Sequence, residues 1–270
     1  MSTRLEQARA FAPATVGNIA VGFDLLGHAL EGPGDRVTAR RLPTPEVRGV
    51  VTDLPSDPRD NTATAGLVAL IEERGLSHGF EIELDKGIAL GSGMGGSAAS
   101  AAAGVVAAGA LLDEPLSDTE RFRLALIGEA VATGSAHGDN LAPCLFGGIQ
   151  LVSALDPPRH QRVPAPPGVW CALAHPHQEL ETRRSRQVLR EGFELDVVVA
   201  QSGRLAAFLA ACFTGQVDAL ATCLEDVLIE PRRAPLIEGF EAVKAAALEA
   251  DALGCSISGG GPSVFAWCRG

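Results

Sequence analysis

The sequence predicts an α+β fold in two halves, and three features carry that prediction. Probable strands and helices follow one another without the regular alternation that a doubly wound sheet requires. A loop with glycine at 91, 93, 95 and 96 runs into an alanine-rich stretch, residues 97–112, which reads as a helix because alanine costs least there. Five prolines between 156 and 168 mark a candidate linker, so that residues 1–160 and 161–270 form separate domains.

Taken in order, residues 8–14 read as a strand, followed by a loop over 15–24. Residues 35–41 and 46–51 read as short strands, with Pro43 and Pro45 punctuating the turn between them. Asp60-Asn61-Thr62 offers a polar cap for a helix to about Arg74. Residues 80–84 alternate apolar and charged side chains, as a half-buried strand does. After the glycine loop and its helix, a second helix spans about Asp118 to Thr133, His137-Gly-Asp-Asn140 opens another loop, and 148–154 reads as a strand. Beyond the prolines come a strand at 169–174, a helix near 182–190, helices within 196–213 and 216–228, and another over about 236–253. The chain closes on a strand, the glycine turn Ser258-Gly-Gly-Gly-Pro-Ser263, and a second strand.

Hydrophobic residues make up 46% of the 270 and charged ones 20%, the composition of a soluble globular protein with a sizeable core. The net charge of −11 argues against a nucleic-acid surface, while leaving room for a local basic pocket that holds a phosphate. No stretch has the uninterrupted apolar length of a membrane span, and the first residues lack the apolar core of a signal peptide. The six cysteines include no Cys-x-x-Cys pair and mostly sit in apolar contexts, which favours buried thiols in a reducing cytoplasm. The six histidines show no metal-ligand spacing.

The glycine loop is the most informative feature. Glycines let backbone amides approach an anion, and a helix start adds unpaired N–H groups and a positive dipole end, so the two together cradle phosphate. Gly91-x-x-x-x-Gly96 begins like the P-loop of nucleotide hydrolases, but Ser97 stands where that motif needs lysine. Gly91-x-Gly93-x-x-Gly96 also fits the dinucleotide fingerprint, with Asp113 near its acidic position. That acid should end a second strand, and residues 97–112 contain none.

Glu129 falls on one helix face with Phe122, Leu126 and Ala130. A glutamate on an apolar stripe is seldom buried unless paired, and magnesium would pair it; a helix-edge glutamate reaching solvent or an arginine fits the periodicity equally. Ser97 offers its hydroxyl to the same ion, to phosphate, or to the helix as an N-cap. Asn18 and Asp24 lie in a loop able to grip an amine or hydroxyl, or merely to turn. Arg186 and Arg233 suit bidentate capture of a carboxylate, although arginine runs such as 183–186 and 232–233 are more often solvated. The closing triple glycine exceeds what a two-residue turn needs, which implies close approach of something else.

Three ordered blocks resemble the GHMP small-molecule kinases. They are Pro13-Ala-Thr-Val-Gly-Asn-Ile-Ala-Val-Gly-Phe-Asp-Leu-Leu-Gly27, Gly91-Ser-Gly-Met-Gly-Gly-Ser-Ala-Ala-Ser100, and Ile257-Ser-Gly-Gly-Gly-Pro-Ser-Val-Phe-Ala266. His137-Gly-Asp-Asn140-Leu-Ala-Pro, Glu181-Thr-Arg-Arg-Ser-Arg186 and Glu230-Pro-Arg-Arg-Ala-Pro-Leu-Ile resemble the branch that phosphorylates L-homoserine in threonine biosynthesis. The resemblance implies a ribosomal S5-like N-terminal domain, a ferredoxin-like C-terminal domain, a homodimer, and ATP with magnesium as cofactors.

By the same resemblance Asn18, Asp24, His137, Thr182, Arg186 and Arg233 hold the small-molecule substrate, with Asp24 on the amino group, the arginines on the carboxylate and Asn140 near the reacting hydroxyl, and Asn140 and Arg186 are the catalytic candidates. Gly91, Ser92, Gly93, Met94, Gly95, Gly96, Ser97 and Ala98 take the phosphates, Asn61 lies near the adenosine, and Ser97 and Glu129 hold magnesium. Asn140 stands where a base is expected, which favours transfer without a strong side-chain base; Asp139 and His137 are the nearby alternatives. Asn18-Ile-Ala-Val-Gly-Phe replaces the commoner Asn-Leu-Gly-Pro-Gly-Phe, and Ala89 a frequent proline. The chain also stops soon after the third block, where relatives continue. Another acceptor within the family, or a non-catalytic ligand-binding relative, are the alternatives.

Overall fold

A computed structural model describes residues 5–50 and 55–270 of the chain. The first half contains β1 (Gln7–Gly17), β2 (Leu26–Leu42), β3 (Val47–Val50), α1 (Ala65–Arg74), β4 (Gly79–Asp85), α2 (Gly96–Gly109), α3 (Asp118–Thr133), α4 (Gly138–Phe146), β5 (Ile149–Leu155) and β6 (Pro158–Val163). Its six strands form one sheet, ordered β3-β4-β2-β5-β6 with β1 also paired to β2. Among the described residues β3 and β4 pair in parallel and the other neighbours pair antiparallel. Position 51 of the expected third strand lies outside the described residues.

Helix α2 is the centre of this half, and ten of its residues are buried, from Ala98 to Ala108. A helix buried on all sides needs small side chains if its neighbours are to close on it. Gly104 shows how tightly they do: a Cβ there would lie 2.2 Å from the carbonyl oxygen of Ala63. Helix α3 has the bounds that the sequence predicts, because Ser117 and Glu120 form a reciprocal capping box and Gly134 turns the chain left-handed at φ 76°.

The second half has a three-stranded antiparallel sheet, β7 (Val169–Ala174), β9 (Val264–Arg269) and β8 (Gly254–Ile257) in that order. Helices α5 (Thr182–Gln187), α6 (Leu195–Thr214), α7 (Val217–Leu220), α8 (Glu230–Arg233) and α9 (Phe240–Glu249) complete it. One core joins the halves: Val16, Leu26 and Ile149 from the first sheet pack with Phe208 of α6 and with Phe265 and Trp267 of β9. Across that seam the indole N–H of Trp267 donates to His28 Nε2 at 3.2 Å. Helix α6 is 20 residues long with mean hydropathy 1.5, enough to cross a membrane by length and composition. It carries Asp196 and Arg204, however, and seats Phe208, Ala211 and Cys212 in the core.

Several elements depart from expectation for identifiable reasons. Residues 137–140 open a helix, α4, where a loop was expected, since burial of Leu141 and Ala142 overrides the breaking tendency of Gly138 and Pro143. The expected linker contains β6: Pro157, Pro164, Pro166 and Pro167 lie outside the strand and Pro158 is its first residue, so residues 159–163 pair with β5 at the sheet edge free of proline. Helix α1 starts at Ala65 because Asn61 Oδ1 accepts from the Ala63 amide and makes a turn first. Helix α7 ends at Leu220, and α9 begins only after the 3-10 turn Ala234–Leu236 and Gly239.

Candidate active site

The first wall of the site follows β1. Asn18, Ile19 and Ala20 all take left-handed φ values, 69°, 41° and 57°, which L-residues adopt at a cost of about 1–2 kcal/mol each. Asn18 anchors the turn at both ends of its amide: Oδ1 accepts from the Asp24 amide at 3.0 Å and Nδ2 donates to the Gly259 carbonyl at 2.8 Å. Asp24 is thereby presented to Arg186, whose Nη2 lies 2.6 Å from Asp24 Oδ1.

The second wall is the glycine loop. Gly91, Gly93 and Gly95 sit at φ 61°, 74° and 69°, and a Cβ on Gly93 would lie 2.5 Å from the Gly261 carbonyl oxygen. The closing triple-glycine turn therefore approaches other parts of the protein. Ser258 Oγ donates to the Gly93 carbonyl at 2.8 Å, the Ser263 amide to Ser92 at 3.2 Å, and the Gly259 amide to Gly17 at 3.1 Å. The N-cap of α2 is Gly95, without a side-chain cap bond, so Ser97 lies inside the first turn and does not cap the helix. Its hydroxyl bonds to Glu129 instead. Glu129 is 4% exposed, and burial, opposed by that bond, pushes its carboxyl up to about 8.

The third wall brings basic and acidic groups together. Arg233 is buried, donating from Nε to the Ser185 carbonyl at 3.2 Å and from Nη1 to Gly259 at 2.9 Å. Burial first, and the neighbouring Arg186 second, pull its guanidinium down to about 10. Phe23 lies under both arginines, 5.5 Å from Arg186 and 5.1 Å from Arg233. His137 bonds to Ser135 through Nε2 at 3.0 Å, and burial lowers its pKa. Asp139 is buried in α4, where burial and then Asp24 push it up to about 7. Asn140 Oδ1 accepts from Thr15 Oγ1 at 2.9 Å.

These walls enclose a cavity of about 640 Å³. Asn18, Asp24, Asn61, Gly91, Ser92, Gly93, Gly95, Gly96, Ser97, Glu129, His137, Asn140, Thr182, Arg186 and Arg233 all line it. Met94 and Ala98 do not: both side chains belong to the hydrophobic core. Asn61 uses its amide on its own turn, bonding to Pro55 and Ala63, while facing the cavity. Arg232 is elsewhere, bonding to the Glu191 and Gly192 carbonyls over the Phe193 ring.

Lys86 and Ser100 also line the cavity and were not foreseen. Lys86 Nζ reaches buried Asp35 at 2.6 Å, the Gly96 carbonyl at 3.0 Å and Ser100 at 3.1 Å. No local pattern announces this network, because Asp35 lies 51 residues before its lysine.

A glycine loop at a helix start, a serine–glutamate pair and an arginine-lined end share one cavity, the arrangement expected of a small-molecule phosphotransferase. Residues 61–148 match the family model for the GHMP kinases N terminal domain, and residues 205–270 that for the GHMP kinases C terminal domain. The chain has the two-domain fold of that class.

Homoserine kinase from Xylella fastidiosa (strain M12) is 53% identical over 266 residues, covering 97% of this chain and 82% of that protein. Homoserine kinase from Xanthomonas campestris pv. campestris (strain B100) is 54% identical over 270 residues, with the same coverage of 97% and 82%. The crystal structure of homoserine kinase from Cytophaga hutchinsonii ATCC 33406 superposes with a TM-score of 0.95 at 40% identity, covering 100% of this chain and 87% of that one. This chain belongs to the homoserine kinase family. Mevalonate kinase from L. major, at 13% identity and a TM-score of 0.72 over 100% of this chain and 90% of that one, shares the fold.

Proposed function

We propose that this protein transfers the γ-phosphoryl group of ATP to the side-chain hydroxyl of L-homoserine, giving O-phospho-L-homoserine for threonine biosynthesis. The observation that carries the reading is the union, in one cavity, of the glycine cradle with the paired Asp24 and Arg186 and the buried Arg233. A zwitterionic amino acid fits that end: Asp24 takes its ammonium group, and the two arginines take its carboxylate. Asn18, His137 and Thr182 complete the acceptor pocket, and Asn61 borders the nucleoside end.

Ser97 and Glu129 fit a magnesium ion. The described residues hold no cluster of three His, Cys, Asp or Glu side chains, so an ion here would complete its shell with phosphate oxygens and water, as magnesium does. Bound there, magnesium would neutralise charge on the transferring group. The buried Glu129 carboxyl, raised to about 8, gains a compensating charge by holding it.

The chain's own residues supply position more than proton transfer. Amides of the glycine loop and of the first turn of α2 hold the β- and γ-phosphates, and Asn140 donates to the acceptor oxygen. A loose transition state leaves little for a strong base to do. Six unpaired thiols support a cytoplasmic setting, and apolar side chains exposed on α6, among them Leu195, Val199 and Phe213, support a homodimer.

ADP release with ATP and magnesium, compared across L-homoserine, L-serine, L-threonine, mevalonate and no acceptor, tests the proposal. Release that depends on homoserine is the expected result. Release that depends on another acceptor would overturn the arginine assignments.

A further inference from the structure

We infer that Thr15 is a positioning residue whose hydroxyl locks the Asn140 amide against the glycine loop, so that the phosphoryl group goes to the acceptor and not to water. The inference deepens the homoserine-phosphorylating reading of the cavity and rests on it. Thr15 is fully buried near the end of β1 and is not among the residues lining the cavity, so its effect must pass through its neighbours.

Three contacts place it between the two substrates. Its backbone amide donates to the Met94 carbonyl at 3.0 Å, tying β1 to the glycine loop. Its hydroxyl lies beneath Gly95, where a Cβ would come within 2.1 Å of Oγ1. The same hydroxyl donates to Asn140 Oδ1 at 2.9 Å, and Asn140 Nδ2 donates to Asp139 Oδ2 at 3.3 Å.

An amide accepts only at oxygen and donates only at nitrogen. In the observed orientation both partners of Asn140 are satisfied. The flipped amide would set its oxygen against the Asp139 carboxyl and deprive the Thr15 hydroxyl proton of its acceptor, although that hydroxyl can itself accept from an NH₂. Asp139 disfavours the flip, and the Thr15 hydroxyl holds the amide oxygen in the rotamer in which Nδ2 serves Asp139 with one hydrogen and keeps the second for the acceptor oxygen. It does so from the strand that also fixes the glycine loop, which sets the spacing between acceptor and phosphate. Gly17 keeps the corner open: a Cβ there would lie 2.5 Å from Asn140 Nδ2.

The test compares wild type with Thr15→Val, which removes the hydroxyl at nearly constant volume, and Thr15→Ser, which keeps it. Thr15→Val should lower homoserine-dependent kcat about 10- to 100-fold, the scale of a small misplacement at the reacting centre. The KM for ATP should stay within about threefold, because Thr15 does not line the cavity, and the ratio of phosphorylated product to ADP should fall. Thr15→Ser should restore both. If Thr15→Val does not fold, Thr15→Ala against Thr15→Ser makes the same comparison, since both lack the methyl group and one keeps the hydroxyl.

A second readout needs no acceptor. In nitrogen–proton correlation spectra of the ligand-free protein, the Asn140 side-chain amide pair should shift or broaden in Thr15→Val and return in Thr15→Ser. An unmoved pair overturns the inference, as does unchanged kcat and product ratio in an enzyme that uses homoserine. Loss of homoserine-dependent turnover in wild type with the amide pair still responding would instead refute the reading of the acceptor.

Discussion

Asp139→Asn separates transfer by positioning from transfer assisted by a base. Asp139 is 3% exposed, and burial with the nearby Asp24 raises its carboxyl to about 7, so it is half-ionised at neutral pH. That is the state a general base needs, and removing a true base costs about 10²- to 10⁴-fold in rate. An asparagine keeps an oxygen that can accept from Asn140 Nδ2, now 3.3 Å from Asp139 Oδ2. The change then costs about 1 kcal/mol, the difference between a charge-assisted and a neutral hydrogen bond, or roughly fivefold.

The assay is steady-state kcat and kcat/KM from about pH 6 to about pH 8, with thermal unfolding as the control for folding. A base at Asp139 makes the rate fall as pH drops below about 7, and the asparagine variant abolishes that dependence. Positioning predicts instead that wild type and variant share one profile, offset by less than about tenfold. A folded variant slower by several orders of magnitude would refute the reasoning.

Other predictions follow from the same geometry. Glu129→Gln should raise the magnesium concentration for half-maximal activity by about tenfold or more, read by titration at fixed ATP. Arg233→Lys should raise the KM for homoserine by about 10- to 100-fold and leave that for ATP unchanged, because an ammonium lacks the planar fork that reaches the Ser185 and Gly259 carbonyls and still offers a carboxylate two parallel donors. Burial lowers His28 from 6.5 to about 4, so its neutral form contributes stability present in full above pH 6.5 and lost as pH falls toward 4. The loss amounts to about 3 kcal/mol by pH 4, and His28→Gln should flatten the acid limb of stability measured by denaturant titration.

Much of the site was legible because its signals are local. The glycine loop announces its left-handed turns by composition, and the place of Glu129 on the apolar face of α3 offers burial as one of two equal readings. Asp24, Arg186 and Arg233 carried no such signal alone; the resemblance of the flanking segments picked them out. What stayed hidden depends on contacts across long separations. Thr15 meets Asn140 across 125 residues, and Gly259 collects donors from Asn18 and Arg233 that no spacing rule connects. The fold misled where burial overrides propensity, as in α4, or where prolines flank a strand without interrupting it, as in β6. Of the roles open to Ser97, the cap is excluded, because left-handed Gly95 ends the loop two residues earlier and leaves the serine to bond Glu129.

The central claim is that the phosphoryl group reaches the side-chain oxygen of homoserine. Phosphorus NMR and mass spectrometry of the products formed from ATP, magnesium and L-homoserine test it most directly. The account predicts a phosphate monoester on the side-chain oxygen, formed in equal amount with ADP. ADP accompanied only by inorganic phosphate, or homoserine phosphorylated at its carboxylate, would contradict it.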